Sequence, residues 1–326
     1  MQNERSGRST DRTAERPNPP FNPAGKNIVV TGGASGIGAE LCLAFAKAGA
    51  RAVTVVDLDG SKALHIADQC RGLAKLNYSR KSPRNNKFVA FSRAVDVSCE
   101  ESVLKLINDT EKDAAGPIDL FVANAGIGPS TLNYDTEMRS ITVGSTKEWN
   151  KMMGVNLMQI VNVARHLIPR YLSRGSGNIL ITASAAGLLT GIGSAPYSAS
   201  KAAAVSMAEW LSITYGSRGL GIFCLCPQWV KTPLLDLGMK EGVDITKSVA
   251  TQDGILGANE VASFCLNEMV NGRFMILPHP KVRQYMQMKS ANSDRWLLGM
   301  MKLHNNFQNS FPQHLSLTPR KQKSKL

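Results

Sequence analysis

Residues 27 to about 278 alternate between short apolar runs and longer segments in which apolar residues recur at helical spacing. The apolar runs are rich in β-branched residues and span 27–31, 52–57, 88–96, 118–126, 177–184, 220–227 and 273–278. Strands that are apolar along their whole length are buried on both faces, which is typical of a parallel sheet with helices on each side. Because the connections between parallel strands are right-handed, the pattern predicts an α/β fold with a doubly wound, seven-stranded parallel sheet in a single domain.

The two ends of the chain lack this alternation. Residues 1–24 are polar and contain four prolines, so we expect a disordered N-terminal arm. The catalytic domain is then predicted over residues 25–280. Residues 281–326 form a C-terminal extension that is rich in Met, Asn and Lys, and we expect one or two short helices followed by a loose tail.

The net charge of +13 is concentrated in the termini. Residues 281–326 hold nine basic residues and one acidic residue, whereas residues 27–280 hold 24 basic and 21 acidic residues. A nucleic-acid-binding domain more often carries a basic stripe on its folded body, so we expect no nucleic-acid partner. Binding of nucleic acid or of a membrane surface through the basic termini is the alternative.

Hydropathy and cysteine spacing exclude several other classes. No apolar run approaches the ~20 residues needed to cross a bilayer, and the first 20 residues lack the apolar core of a secretory signal, so we expect no stable membrane insertion and no secretion. The six cysteines are scattered. Only Cys224 and Cys226 are close, and their spacing in an apolar strand favours buried thiols over a metal pair, so no metal site is predicted.

A glycine-rich turn, TGGASGIG (31–38), lies between the first strand and the first helix. Glycines allow the backbone to approach a pyrophosphate, and the helix N-terminus offers free N–H groups to it, as in the Rossmann fold. Asp57 ends the second strand, where a carboxylate can bind both ribose hydroxyls and would repel a 2′-phosphate. No basic residue stands beside it, so the predicted cofactor is NAD and not NADP.

The spacing TGxxxGIG resembles that of the short-chain dehydrogenase/reductase family, and further motifs follow in the family's order between residues 26 and 278. They are Asp96–Val97, NAG (124–126), Asn156 in VNL, Ser184, YSASK with Tyr197 and Lys201, and PQWVKT (227–232). The resemblance implies a set of cofactor-binding residues: Gly32, Ser35, Gly36, Ile37, Gly38, Asp57, Asp96, Val97, Asn124, Ala125, Gly126, Tyr197, Lys201, Pro227, Val230 and Thr232.

The candidate catalytic residues are Asn156, Ser184, Tyr197 and Lys201. Tyr197 and Lys201 are four residues apart and therefore share a helix face. A free tyrosine has a pKa of ~10, and a nearby ammonium group is expected to lower it toward the working range of a base. Ser184 can hydrogen-bond the substrate oxygen, and the resemblance implies that Asn156 holds a water in a proton relay with Lys201. The expected reaction is NAD-dependent interconversion of a secondary alcohol and a ketone with Tyr197 as the base.

Several features of the sequence bear on substrate and assembly. The flanking segments 187–193 and 232–239 and Trp229 are apolar, which predicts a lipophilic substrate such as a hydroxy fatty acid derivative, a hydroxyacyl thioester or a sterol. Gln228 replaces the family's usual glycine. The run-on end after the last strand is similar to that of the prostaglandin-dehydrogenase-like branch, and we expect a homodimer built from the helices near 147–172 and 197–215. A catalytically idle NAD(H)-binding sensor and an NADPH-driven carbonyl reductase are the alternatives.

The last three residues, Ser324, Lys325 and Leu326, match the C-terminal peroxisomal address. A loose basic tail would leave this signal accessible. The sequence therefore predicts recognition by a peroxisomal import receptor and a peroxisomal location, with the cytoplasm as the location otherwise. A solvated run of charges is the alternative interpretation of the tail.

Overall fold

The structure is a computed structural model that describes residues 16–81, 88–128, 134–135, 140–141, 143–240 and 254–308. Two sequence predictions lie outside these residues: the first 15 positions of the N-terminal arm and the C-terminal tail with its SKL tripeptide. Among the described residues, no helix combines the length and the apolarity that a membrane span requires.

Seven strands form the central sheet: β1 (Asn27–Thr31), β2 (Ala52–Asp57), β3 (Val89–Ala94), β4 (Leu120–Ala123), β5 (Gly177–Thr182), β6 (Leu220–Leu225) and β7 (Met275–Ile276). Their order across the sheet is β3-β2-β1-β4-β5-β6-β7, and every neighbouring pair is parallel. The predicted doubly wound, seven-stranded sheet is therefore confirmed. The order reverses at β1, which places a crevice at the carboxyl ends of β1 and β4.

Helices cover both faces of the sheet: α1 (Gly36–Lys47), α2 (Gly60–Lys81), α3 (Glu100–Asp113), α4 (Thr146–Met153), α5 (Gln159–Arg174), α6 (Ala185–Leu189), α7 (Ala195–Tyr215), α8 (Pro233–Lys240) and α9 (Ala258–Val270). One buried cluster joins α1, α2 and α9 to the sheet, and a second joins α3, α5 and α7 to the opposite face. These two apolar layers fix the strand ends that carry the functional residues.

Part of the predicted disordered arm packs against the domain. Asn18 is buried, and its side chain bonds both the backbone carbonyl of Ile222 (2.6 Å) and its N–H (3.0 Å). Phe21 is also buried, and its N–H donates to the Met269 carbonyl (3.1 Å). Strand β7 is short and leaves part of β6 without a strand partner, so the amide of Asn18 supplies the hydrogen bonds there. The prediction of disorder is wrong for this part of residues 16–24.

The C-terminal extension forms two helices, α10 (Pro280–Ala291) and α11 (Ser293–Gln308). Val282 is buried, and Tyr285, Met286 and Trp296 pack against the cluster that α3, α5 and α7 share. The start of the extension is therefore part of the domain and lies against α6.

Candidate active site

The predicted site residues meet at the carboxyl edge of the sheet. The glycine turn connects β1 to α1, Asp57 ends β2, and Asn124–Gly126 directly follow β4. Ser184 lies two residues beyond β5, and Pro227 lies two residues beyond β6. Because the strands are parallel, their carboxyl ends lie at one edge of the sheet. Site residues spread over positions 31 to 232 of the sequence therefore meet in a single crevice.

The glycine turn is too tight for side chains at two of its positions. Gly32 has φ +61°, and a Cβ there would lie 2.8 Å from the Cα of Ala125. A Cβ on Gly38 would lie 2.1 Å from the backbone oxygen of Gly32. Both distances are well below van der Waals contact and both involve backbone atoms, so the turn depends on the missing Cβ atoms.

The turn fits a dinucleotide pyrophosphate. Ser35 is the N-cap of α1 but makes no side-chain cap hydrogen bond, and the first turn of α1 holds no acidic residue. Backbone N–H groups of this turn are thus left to bind an anion, with the positive end of the helix dipole behind them. Gly36 and Ile37 open the helix. A Cβ on Gly36 would lie 3.0 Å from the Thr232 side chain, so the segment 227–232 approaches the turn.

Asp57 stands beside this turn, where it accepts hydrogen bonds from the N–H groups of Ala34 and Asp59, both at 3.2 Å. Asp96 follows β3, and its carboxylate accepts bonds from the N–H (2.9 Å) and hydroxyl (2.6 Å) of Ser98, which lower its pKa. Val97 is buried next to it. These residues lie at the β1–β3 side of the crevice, where the adenosine half of a dinucleotide would be expected.

Thr31 and Gln159, which the sequence did not single out, connect the glycine turn to the loop after β4. The Thr31 hydroxyl accepts the N–H groups of Asn124 and Ala125, both at 3.0 Å. Its hydrogen faces the Val122 carbonyl and Gln159 Oε1, each 3.1 Å away. Gln159 Nε2 in turn donates to the carbonyls of Ala125 and Val155. The sequence feature that could have indicated Gln159 is a polar residue at a position of the helix pattern that is otherwise occupied by apolar, buried residues.

Asn156 lies in a π-helical turn (Gly154–Met158) between α4 and α5. It is 1% exposed, and its side chain makes three hydrogen bonds: Oδ1 accepts from Ile127 N–H (2.9 Å), and Nδ2 donates to Ile127 O (3.0 Å) and Ser200 Oγ (2.9 Å). Single π-turns occur frequently at functional sites because they re-aim a helix side chain. The amide thereby ties the α4–α5 helix to α7 and to the loop after β4.

Tyr197 and Ser184 face each other across the crevice. Ser184 caps α6, with its hydroxyl accepting from Ala186 N–H (3.1 Å), and it lies near enough to the Tyr197 phenol to influence the pKa of that group. Burial raises the pKa of the Tyr197 phenol, and the interaction with Ser184 acts in the opposite direction. The net shift is therefore upward, opposite to the direction expected from Lys201, because desolvation dominates.

Lys201 is 4% exposed and lies one turn after Tyr197 on α7. Its Nζ donates to the Thr182 carbonyl (3.0 Å) and lies 5.9 Å from the centroid of the Tyr197 ring. Burial lowers the pKa of Lys201 to about 8. A lysine with this pKa is still mostly an ammonium ion at pH 7 and can change its protonation state close to neutral pH.

The substrate side of the crevice is formed by Pro227 to Thr232 and by α8. The Pro227 carbonyl accepts from Ala185 N–H (2.8 Å) and from Ser184 Oγ (3.5 Å). Val230 is buried and pairs with Leu256 in a short parallel ladder. Leu234 on α8 reaches Gly128, so α8 extends across the crevice.

The cysteine pair lies behind Lys201. Cys224 and Cys226 are buried with their sulfur atoms 3.7 Å apart, and both are free thiols. Within the described residues, no group of three or more His, Cys, Asp or Glu side chains could hold a metal ion.

Comparison with known proteins agrees with this geometry. The family described as short chain dehydrogenase matches residues 26–240. The chain is 30% identical over 254 residues to the short-chain dehydrogenase fogB of Aspergillus ruber, covering 72% of this chain and 87% of that protein. It is 32% identical to 1-deoxy-11-beta-hydroxypentalenate dehydrogenase of Streptomyces exfoliatus, covering 82% of this chain and 87% of the relative.

Among solved structures, a short-chain dehydrogenase/reductase from Burkholderia phymatum in complex with NAD superposes with a TM-score of 0.69 at 26% identity, covering 84% of this chain and 96% of that chain. The fold, the ordered motifs and these relatives lead to one conclusion: the chain belongs to the short-chain dehydrogenase family of oxidoreductases.

Proposed function

We propose that the protein is an NAD-dependent dehydrogenase that interconverts a secondary alcohol and a ketone on a lipophilic substrate. The observation that supports this most directly is the proximity of Tyr197, Ser184 and the buried Lys201, at the strand ends that face the glycine turn. A proton-transfer group, a hydroxyl donor and a cation thus share one crevice with a nucleotide-binding turn.

The side chains divide the proton chemistry between them. A bound nicotinamide dinucleotide supplies the hydride acceptor for oxidation, or the hydride donor for reduction. Ser184 would hold the substrate oxygen, and the Tyr197 phenolate would take the hydroxyl proton as the carbonyl forms. The Lys201 ammonium favours that phenolate by its charge. In the reductive direction the raised pKa of Tyr197 suits a proton donor.

Asn156 and Lys201 are arranged for a proton relay. A Cβ on Gly126 would lie 3.2 Å from Lys201 Nζ and 3.4 Å from Asn156 Oδ1, so this glycine leaves a gap between the two polar atoms. A water there could pass protons between Lys201 and the protein surface, since Gly126 itself is exposed.

Asp57 supports NAD over NADP. Its carboxylate lies beside the glycine turn, and the nearest basic residue along the chain, Lys62, is already paired with Asp59 at 2.9 Å. We expect Asp57→Ser to lower the kcat/KM ratio of NAD⁺ to NADP⁺ by about 100-fold, because it removes the ribose acceptor and the repulsion of a 2′-phosphate. Preference for NADP⁺ in the unaltered protein would contradict the assignment.

The lipophilic substrate is supported by the apolar residues around Ser184 and by one relative. Leu188, Trp229 and Leu234 stand in largely apolar segments, and the Streptomyces relative is named for a hydroxylated pentalenate. The assignment to the prostaglandin-dehydrogenase-like branch stays a prediction.

A turnover panel tests the proposal. Hydroxy fatty acid derivatives, hydroxyacyl thioesters and sterols are offered with NAD⁺, and NADH formation is followed by absorbance. Tyr197→Phe is the matched control, and its rate is expected to fall by about 10²–10⁴-fold while NADH still binds. NADH binding without turnover of any alcohol or ketone would favour the idle sensor. Ketone reduction with NADPH alone would favour the carbonyl reductase.

A homodimer through α5 and α7 is part of the proposal. Trp210 and Ile213 on α7 are 52% and 82% exposed, which is unusual for large apolar side chains. We expect Ile213→Asp to convert a dimer to a monomer in light scattering coupled to size-exclusion chromatography. A monomeric unaltered protein would contradict this assembly.

The peroxisomal location remains a proposal that rests on the tripeptide Ser324–Lys325–Leu326. Deletion of Leu326 should leave a fluorescently tagged chain in the cytoplasm. Import of the truncated chain through the same receptor would contradict it.

A further inference from the structure

The loop from Pro227 to Trp229 is held by a residue outside the family motifs. His279 follows β7 and is 3% exposed. Its Nδ1 accepts the Gln228 N–H (3.2 Å), and its Nε2 lies 2.9 Å from the Trp229 carbonyl oxygen. One imidazole thus bonds Gln228 and Trp229, two consecutive residues of this loop. The carbonyl of the residue before them, Pro227, contacts Ser184.

This pair of bonds selects one state of the imidazole. Nδ1 can accept a hydrogen bond only if it carries no proton, and Nε2 can bond a carbonyl oxygen only if it carries one. His279 must therefore be neutral, with its proton on Nε2, when the loop has the observed conformation. The Trp229 carbonyl also accepts Leu256 N–H (3.0 Å), so the histidine completes its hydrogen bonding.

The loop leads directly to the catalytic serine. The Pro227 carbonyl, one residue before Gln228, accepts from Ser184 Oγ and from Ala185 N–H. Ser184 is the N-cap of α6 and lies near the Tyr197 phenol. A shift of the Pro227 carbonyl would therefore move the hydroxyl that holds the substrate oxygen.

The opposite end of α6 is held by the same part of the chain. Lys289 on α10 donates from Nζ to the Leu188 carbonyl (2.7 Å), in the last turn of α6. A cation at this position also complements the helix dipole. The five-residue helix that Ser184 caps is thus fixed at both ends by residues beyond the last strand.

We propose that His279 and Lys289 are positioning residues, which hold the Pro227–Trp229 loop and α6 so that Ser184 is placed against Tyr197. This inference rests on the proposed function. It also accounts for Gln228, which stands where the family usually has glycine: Gln228 is not among the described residues with positive φ, and its N–H is bonded by His279.

Two substitutions at His279 separate positioning from folding. His279→Leu removes both bonds, whereas the Oδ1 of Asn in His279→Asn can still accept the Gln228 N–H. We expect the leucine variant to lose about 10–100-fold in kcat/KM for the alcohol, with the Kd of NADH changed less than about threefold. The asparagine variant should stay within about threefold of the unaltered protein. His65→Leu, on the exposed face of α2, is the matched control.

Lys289→Met should have a smaller effect of about threefold to tenfold on kcat/KM, because the backbone of α6 retains its bond at Ala185. Lys302→Met, on an exposed position of α11, is its control. Wild-type kcat/KM in a folded His279→Leu protein would overturn the inference, as would equal losses in the leucine and asparagine variants.

Two measurements do not need turnover and so separate this inference from the proposed function. The ¹⁵N NMR shifts of His279 should show a neutral ring protonated at Nε2 at pH 7.5, and the Gln228 amide should be protected from hydrogen exchange. A charged ring, or a ring protonated at Nδ1, would overturn the inference even if the leucine variant failed to fold. If the predicted ring state and protection are found but no alcohol is oxidised, the proposed function fails while the bonds of His279 stand.

Discussion

The two sides of the crevice are built by opposite means. The glycine turn and its surroundings depend on atoms that are absent, because a Cβ on Gly32 or Gly38 would overlap backbone. The side that holds Asn156, Ser184, Tyr197 and Lys201 depends on polar side chains that are present, buried and bonded mainly to backbone. Substitutions that add atoms should therefore destabilise the first side, and substitutions that remove polar atoms should destabilise the second.

The largest effect is expected for Gly38→Ala. The added Cβ meets a backbone oxygen at 2.1 Å, and a backbone atom cannot rotate away as a side chain can. We expect a loss of about 3 kcal/mol or more in the free energy of unfolding and loss of NADH binding, measured by urea unfolding and calorimetry.

Gly72→Ala is the matched control for that substitution. Gly72 lies in the interior of α2, and nothing stands within 4 Å of an added Cβ. We expect this variant to gain about 0.5–1 kcal/mol, because alanine has the higher helix propensity. Similar behaviour of both variants would show that the turn tolerates side chains.

On the opposite side, Asn156→Ala should destabilise the fold by about 2–3 kcal/mol. The substitution leaves the Ile127 N–H and carbonyl without their buried partner. Asn162 is an equally buried asparagine on α5 whose Oδ1 has no hydrogen-bond partner among the described residues, and Asn162→Ala should change stability by less than about 1 kcal/mol. Equal losses in chemical denaturation would contradict the role of the Asn156 bonds.

Lys201→Met should affect stability in a pH-dependent way. The pKa of Lys201 is lowered from 10.5 to about 8 in the folded protein, so the unfolded chain binds more protons between these values. The lysine's contribution to stability therefore rises as the pH increases from 8 toward 10, and it is least favourable below 8. We expect the methionine variant to be more stable than the unaltered protein by about 1–2 kcal/mol at pH 7, after loss of the Thr182 bond.

That advantage should shrink or disappear near pH 10, as followed by thermal unfolding at matched pH values. Because both proteins share every other titrating group, the difference between them isolates Lys201. A constant difference across this range would contradict the lowered pKa.

A similarly small effect is expected where the two sides meet. Thr31→Val keeps the shape of the residue but removes the hydroxyl that accepts the N–H groups of Asn124 and Ala125. We expect a loss of about 1–2 kcal/mol and a modest rise in the Kd of NADH. Thr110→Val, at a buried threonine whose hydroxyl has no partner within the described part of the chain, should be neutral or stabilising.

Local patterns were sufficient to predict the sheet and to indicate candidate site residues that the fold brings together. The central strands β1, β4 and β6 are largely apolar runs because they are buried on both faces, so they could be located without knowledge of their partners. The edge strand β3 is only partly buried and contains Ser92 and Arg93. The glycine turn and the Tyr197–Lys201 pair are also local, since their function depends on spacing within one turn or one helix.

Residues that act across long sequence separations could not be predicted in this way. Asn18 bonds Ile222 at a separation of 204 residues, and His279 bonds Gln228 at a separation of 51. Neither residue stands in a recognisable motif, and a polar residue in a proline-rich segment indicates disorder as readily as a buried contact. The prediction of disorder is wrong around Asn18 and Phe21 for that reason.

The sequence by itself determined the doubly wound sheet and indicated the candidate nucleotide-binding turn and candidate catalytic side chains, because each of these is encoded within a few neighbouring residues. Only the tertiary structure decided the state of the catalytic groups and of their supports. Burial raises the pKa of Tyr197 and lowers that of Lys201, and His279 and Lys289 reach the loops that hold Ser184. Desolvation and through-space hydrogen bonds depend on what surrounds a group after folding, and a linear pattern does not contain that information.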